Sequence, residues 1–211
     1  MRFHGFFRSS SSYRCRIAFN LKRLSYAFVS TPLREGAHRT AAFRALNPQA
    51  LVPALEDGGE VFTQSLAIIE WLDETHPTPP LLPADPATRA HVRAFAQVIA
   101  CEVHPLQNLR VLDYLRQELG QDDAGVNRWL TRWIGEGLAA CEALLSRRPE
   151  SPFCFGEAPG LADICLVPQM FSADRFGIDT AAFPRLRAVR IACEALPAFA
   201  EAAPGRQPDA A

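Results

Sequence analysis

Lysine is almost missing from this chain. Of its 22 basic side chains only Lys22 is a lysine, and no long basic run forms, so no nucleic-acid surface is expected. Charge of either sign is also nearly absent in sum: 22 basic groups against 23 acidic ones leave a net charge of -1. No stretch approaches the roughly 20 apolar residues of a membrane span. The opening "MRFHGFFRSS" has neither an apolar core nor a small-residue cleavage site, so neither membrane insertion nor a secretory leader is expected. Cysteine pairing motifs are lacking too. Cys15, Cys101, Cys141, Cys154, Cys165 and Cys193 are scattered, with no CxxC and no ligand cluster. They read as buried or half-buried free thiols in a reducing cytoplasm, with no metal site.

What is present is an ordinary globular composition, 48% apolar and 21% charged over 211 residues, enough for one large domain or two small ones. Proline marks the division. The segment "HPTPPLLPADP" (76–86) holds five prolines, which stop the preceding helix and form a semi-rigid connector. We therefore expect a domain over 1–80, a linker over 81–85 and a second domain over 86–211. Before the linker the pattern alternates. Arg2–Phe7 is a short apolar run, followed by helical spacing in Ile17, Ala18, Leu21 and Leu24. Tyr26–Ser30 reads as a strand, "AAFRALNP" as a short helix, and "VPALED" and "VFT" as strands about the glycine turn "DGGE". Ser65 is expected to cap the helix "LAIIEWLDETH", with Leu66, Ile69 and Leu72 on one face. The order βαβ then ββα means a mixed sheet covered by helices.

After the linker the sequence is wholly helical. Residues 87–119 are amphipathic with a kink expected at Pro105, and 124–147 form a second helix. Residues 160–176 have the continuous apolarity of a central buried helix, Pro184 starts another, and "APGRQPDAA" is expected to fray. The fold class is thus α/β plus all-α.

The residues "FRSSSSYRCRIAFNLK" resemble the signature of the zeta class of glutathione transferases, which contains the maleylacetoacetate and maleylpyruvate isomerases. "ALNPQALVPALEDG", "QSLAIIEWLDE", "PTPPLLPADP", "HPLQNLRVLDYL", "LADICLVPQ" and "RQPD" resemble the same class over nearly the whole chain. The resemblance implies the glutathione transferase fold, an N-terminal thioredoxin-like domain with a C-terminal helical bundle. It implies glutathione as cofactor, a dicarboxylate as substrate and a homodimer in the cytoplasm. The serine run gains a chemical reason beside it. A loop entering a helix delivers N–H groups and a positive helix end to one spot, and a thiolate is an anion. A hydroxyl donating to that sulfur lowers the thiol pKa.

By resemblance Ser9 is that hydroxyl, with Ser10 and Ser11 giving loop contacts, whereas Ser12 reads as a plain capping residue. Ser11 stands where the class commonly has cysteine, which disfavours chemistry through an enzyme–glutathione disulfide. Val52 and the cis-proline Pro53 would hold the cysteinyl part of glutathione, Gln64 and Ser65 its γ-glutamyl carboxylate, and His38 and Gln49 its glycyl end. His104 and Asn108, four apart, are expected on one helix face toward glutathione and substrate; a buried structural histidine is the equal alternative. Arg8, Arg110 and Arg175 would anchor the substrate's carboxylates. Cys15 is expected to pack, and Asp163 to keep half of a capping box whose other half is lost at Gly160.

The activity implied is a glutathione-dependent cis–trans isomerisation of a maleyl keto acid to its fumaryl isomer. Maleylacetoacetate and maleylpyruvate remain open as substrates. A general transferase or dehalogenase of α-halo acids is the alternative among enzymes, and a non-catalytic interaction module the alternative outside them. Retention of Ser9 with Gln64 and Ser65 speaks against the module.

Overall fold

A computed structural model describes residues 1–210 as two compact units, Met1–Leu81 with the segment from Ala195 onward, and Leu82–Glu194. In the first unit, β1 (Arg2–Gly5) lies between β2 (Ala27–Ser30) and β3 (Ala54–Asp57), and β4 (Glu60–Thr63) closes the edge. β1 and β2 are parallel, joined by α1 (Ser10–Leu21), while β1–β3 and β3–β4 are antiparallel. Gly58 and Gly59 make the β3–β4 turn with φ of 58° and 90°, where a side chain is disfavoured. α2 (Ala41–Leu46) and α3 (Ser65–Thr75) complete the expected order. Phe3 on β1 sets its ring edge against Phe19 of α1 and against Tyr26, at 5.2 and 5.4 Å between centroids. Such aromatic pairs add to the burial of Ile17, Leu55, Ile68, Ile69 and Leu72 around them.

α1 is buried on every side from Ser10 to Phe19, because α3 and α9 (Pro197–Ala200) pack on it besides the sheet. Lys22, at its end, has a side chain of 0% exposure. Its ammonium donates to Asp73 Oδ1 at 2.6 Å and to the carbonyls of His76 and Pro79 at 2.6 and 2.5 Å. A buried ammonium needs such a set of acceptors. Asp73 Oδ1 also accepts the Leu81 N–H, so the chain's one lysine pins the proline-rich segment.

The closing segment departs from expectation twice. It belongs to the first unit rather than to the helical domain, and up to Ala210 it is docked rather than frayed, Ala211 lying outside the described residues. Asp209 Oδ2 accepts from Phe7 N–H and Ser30 Oγ, while Arg16 Nε donates to the Ala202 carbonyl. Side chains from the start of the chain satisfy its backbone, a pairing that local pattern does not reveal.

The second unit holds α4 (Pro86–Gln97), α5 (Leu109–Gln117), α6 (Asp123–Ser146), α7 (Leu161–Arg175) and α8 (Pro184–Glu194). α7 is buried without interruption from Leu161 to Met170, the central helix its apolarity predicts. Asp163 Oδ2 accepts from Gly160 N–H at 2.9 Å and Oδ1 from Cys154 N–H at 2.8 Å, so the carboxylate half of the capping box is in place. Between α4 and α5 the expected kink is a break. Residues 98–103 form a wide turn and 104–107 a tight one. Pro105 has no N–H to continue the ladder, and Asn108 caps a new helix through Arg110 N–H. Among the described residues, no helix is long and apolar enough to cross a membrane.

Candidate functional site

The loop between β1 and α1 brings the serines into the packed interior. Ser10, Ser11 and Ser12 are buried and Ser9 half-buried, so the run is no linker. Ser9 is the N-cap of α1: its Oγ accepts the Ser12 N–H at 3.2 Å. Ser9 Oγ also lies 3.0 Å from Ser11 Oγ, and the Ser11 hydroxyl donates to the Val52 carbonyl at 3.1 Å. A carbonyl only accepts, so the Ser11 proton is committed to Val52. The Ser9 hydroxyl is therefore the donor toward Ser11. The order of donation is Ser12 N–H, Ser9, Ser11, Val52 carbonyl. Ser12 Oγ accepts the Phe6 N–H at 3.3 Å, fixing the loop from its other side.

The Val52–Pro53 bond is cis, as the resemblance implies. Gln64, not Ser65, is the N-cap of α3, with φ of 68° and no side-chain cap. A residue with a side chain rarely adopts that backbone, which costs about 1–3 kcal/mol and clusters at binding sites. The first N–H groups of α3 thus have no capping side chain. Ser65, expected as the cap, instead begins the helix and accepts from Arg14 Nη1 at 3.2 Å. Arg14 is 1% exposed, a buried cation behind the start of α3 that sequence reasoning did not single out. Gln64 Nε2 donates to Gln49 Oε1 at 2.6 Å, so these two expected ligand residues meet. Cys15 is buried against the Ser65 carbonyl, at 3.9 Å from Sγ, and packs as expected.

His38 lies in a short turn, Ala37–Arg39, and is buried. Arg39 Nε donates to its Nε2 at 3.3 Å, which leaves the ring proton on Nδ1. Nδ1 is buried with no hydrogen-bond partner among the described residues. Burial first, then the Arg39 and Arg44 cations, hold its pKa below the ordinary histidine value, so the neutral ring is favoured. A buried imidazole N–H without an acceptor is a group a ligand oxygen could satisfy, as an uncapped helix start is.

Arg8 is half-buried with its guanidinium 5.4 Å from the centre of the Phe7 ring. Burial, then the like charge of Arg34, lowers its pKa. In the second unit Arg110 is exposed in the first turn of α5, and Arg175 is exposed in the last turn of α7, 4.2 Å over the Phe176 ring. His104 and Asn108 do not share a helix face: His104 starts the tight turn, and Asn108 is the cap that follows it. Gln107, buried beside them, exchanges two amide hydrogen bonds with Gln169 of α7 at 2.9 and 3.0 Å. That pair anchors the broken segment. Of the cysteines, Cys101 is exposed and the other five are buried. Among the described residues, no group of His, Cys, Asp and Glu could hold a metal ion.

Comparison with known proteins gives this geometry a context. Residues 3–80 match the model of the glutathione S-transferase N-terminal domain, and 123–192 that of the C-terminal domain. A maleylpyruvate isomerase of a Ralstonia species is 50% identical over 212 residues, covering 100% of both chains. The holo structure of a maleylpyruvate isomerase, described as a bacterial zeta-class glutathione S-transferase, superposes with a TM-score of 0.98 at 50% identity over 100% of both chains. A maleylacetoacetate isomerase of Anaeromyxobacter dehalogenans 2CP-1, solved with dicarboxyethyl glutathione and citrate in its active site, gives a TM-score of 0.88 at 42% identity over 100% of this chain and 97% of that one. The chain belongs to the glutathione S-transferase family and, within it, to the zeta class.

Proposed function

We propose that this protein is a glutathione-dependent cis–trans isomerase that converts a maleyl keto acid, maleylpyruvate or maleylacetoacetate, to its fumaryl isomer. The observation that carries the reading is the Ser9 hydroxyl at the start of α1, in a chain half identical over its full length to a maleylpyruvate isomerase. When bound, glutathione supplies the thiolate, which adds reversibly to the conjugated double bond so that the bond can turn. Ser9 turns its hydroxyl from Ser11 toward the sulfur, and the positive end of α1 stabilises the charge there. Val52 presents its backbone to the cysteinyl unit. The uncapped start of α3 at Gln64 and Ser65, with the Arg14 cation behind it, takes the γ-glutamyl carboxylate. His38 offers its Nδ1–H, and Gln49 its amide, to the glycyl end. Arg8, Arg110 and Arg175 anchor the substrate's carboxylates, with His104 and Asn108 toward substrate and glutathione. The reading includes the homodimer and the cytoplasmic setting of the class.

The test is an absorbance time course with each maleyl keto acid, with and without catalytic glutathione. Conversion that needs glutathione and leaves its concentration unchanged supports the reading, and the faster substrate names the physiological one. No isomerisation of either, with glutathione consumed by α-halo acids, overturns it in favour of a transferase.

A further inference from the structure

The motif "RQPD", at 206–209, has no part in the chemistry above, yet its aspartate touches the loop that carries Ser9. Phe6 and Phe7 lie between β1 and α1, and side chains of Ser12, Arg16 and Asp209 hold their backbone groups. The Phe7 N–H donates to Asp209 Oδ2 at 3.1 Å. The Phe7 carbonyl accepts from Arg16 Nη2 at 2.9 Å. The Phe6 carbonyl accepts from Arg16 Nη1 at 3.4 Å and from the Ser9 N–H at 3.0 Å. The same guanidinium donates through Nε to the Ala202 carbonyl at 2.9 Å, so Arg16 spans loop and closing segment.

Arg16 is 0% exposed. Burial draws its pKa down to about 10, which leaves it charged at neutral pH, and Asp209 is near enough to favour that charge. Asp209 Oδ2 also accepts from Ser30 Oγ at 2.9 Å, tying the loop to the end of β2. Gln207 donates to the Glu201 and Ala203 carbonyls at 2.9 and 3.0 Å and so folds the segment that presents Asp209.

We infer that Asp209 is a positioning residue for the thiolate site: with Arg16 it fixes the Phe6–Phe7 backbone, and through it the place of Ser9. This rests on the glutathione reading above. The Ser9 N–H is anchored on the Phe6 carbonyl, so a shift of Phe6 and Phe7 carries Ser9 with it. Hydrogen bonding to a thiolate depends on that alignment, and a misplacement of about 1 Å can cost on the order of a hundredfold in rate. The role differs from a general clasp because it reaches the sulfur's acidity and not only the melting temperature.

The experiment compares Asp209→Ala and Asp209→Asn with the wild type by thiolate absorbance of bound glutathione against pH, KM for glutathione, kcat and thermal melting. Asp209→Ala is expected to raise the bound thiol pKa by about half to one unit, the scale of one lost hydrogen bond, and KM for glutathione several-fold. Asp209→Asn, which keeps an acceptor oxygen, is expected to recover most of both. Should the alanine variant fail to fold, the asparagine variant with Ser30→Ala loosens the same contact. Thiol pKa and KM equal to wild type in a folded Asp209→Ala protein, even with a lowered melting temperature, overturn the inference alone. Absence of glutathione binding by the wild type overturns the functional reading beneath it.

Discussion

Replacing Ser11 by alanine is expected to make bound glutathione more acidic, not less. In the structure the Ser11 proton goes to the Val52 carbonyl at 3.1 Å, so at 3.0 Å Ser11 Oγ is the acceptor of the Ser9 proton. It therefore competes with the thiolate for the one donor that Ser9 has. A neutral hydrogen bond of this kind is worth about 0.5–1.5 kcal/mol net. At about 1.4 kcal/mol per unit, removing the competitor lowers the thiol pKa by roughly 0.4–1 unit. The Val52 carbonyl loses its donor in the same variant, which costs about 1–3 kcal/mol if the oxygen stays buried. For a chain of this length that is a melting temperature lower by about 2–4 °C per kcal/mol. Thiolate absorbance titrated in saturating glutathione reads the first effect, and thermal melting the second. Cysteine at 11, a weaker acceptor than a hydroxyl, is expected to give an intermediate thiol pKa. A higher thiol pKa in Ser11→Ala refutes the reasoning, because Ser11 would then be supporting the Ser9 hydroxyl and not occupying it.

Lys22→Met leaves Asp73 and the His76 and Pro79 carbonyls without their buried ammonium, and is expected to destabilise the protein by about 3–5 kcal/mol, read as a fall in the urea midpoint. A midpoint within error of wild type would show that solvent replaces the lysine. His38 has a folded pKa below that of the unfolded chain, so the unfolded state binds more protons between the two values and stability rises with pH there. Stability measured against His38→Gln is thus expected to be complete above about pH 6.5 and to decline as pH falls below it; a pH-independent difference counts against a neutral His38. Arg110→Ala and Arg175→Ala are each expected to raise KM for the diacid about tenfold or more, the scale of one lost charge-assisted contact, with KM for glutathione unchanged. An equal rise in both constants would place these arginines at the glutathione pocket.

How far the sequence was legible follows the range of the interactions. The glycine turn at Gly58–Gly59, the parallel β1–α1–β2 unit and the apolar α7 depend on neighbours a few residues apart, and periodicity reports such neighbours. Resemblance reaches further along the chain, to Ser9, Val52, Gln64 and Ser65 as candidates. It could not say that Gln64 takes the cap position with positive φ, or that Ser65 faces a buried guanidinium. At 98–107 Pro105 announces a lost N–H, and so a kink, but not how the chain re-forms around it into a break. The closing segment is illegible for the opposite reason. Alanine, glycine and proline carry no periodic signal, and what orders them is Arg16 and the Phe7 N–H, nearly the whole chain away. A buried arginine is itself the missing clue. Arg14 and Arg16 are the largest fully buried side chains of the protein, and a guanidinium in the interior must find carbonyls or hydroxyls for its donors. In α1 those partners are the start of α3, the serine loop and the closing segment. Through these two arginines α1 holds the start of α3, the serine loop and the closing segment against itself.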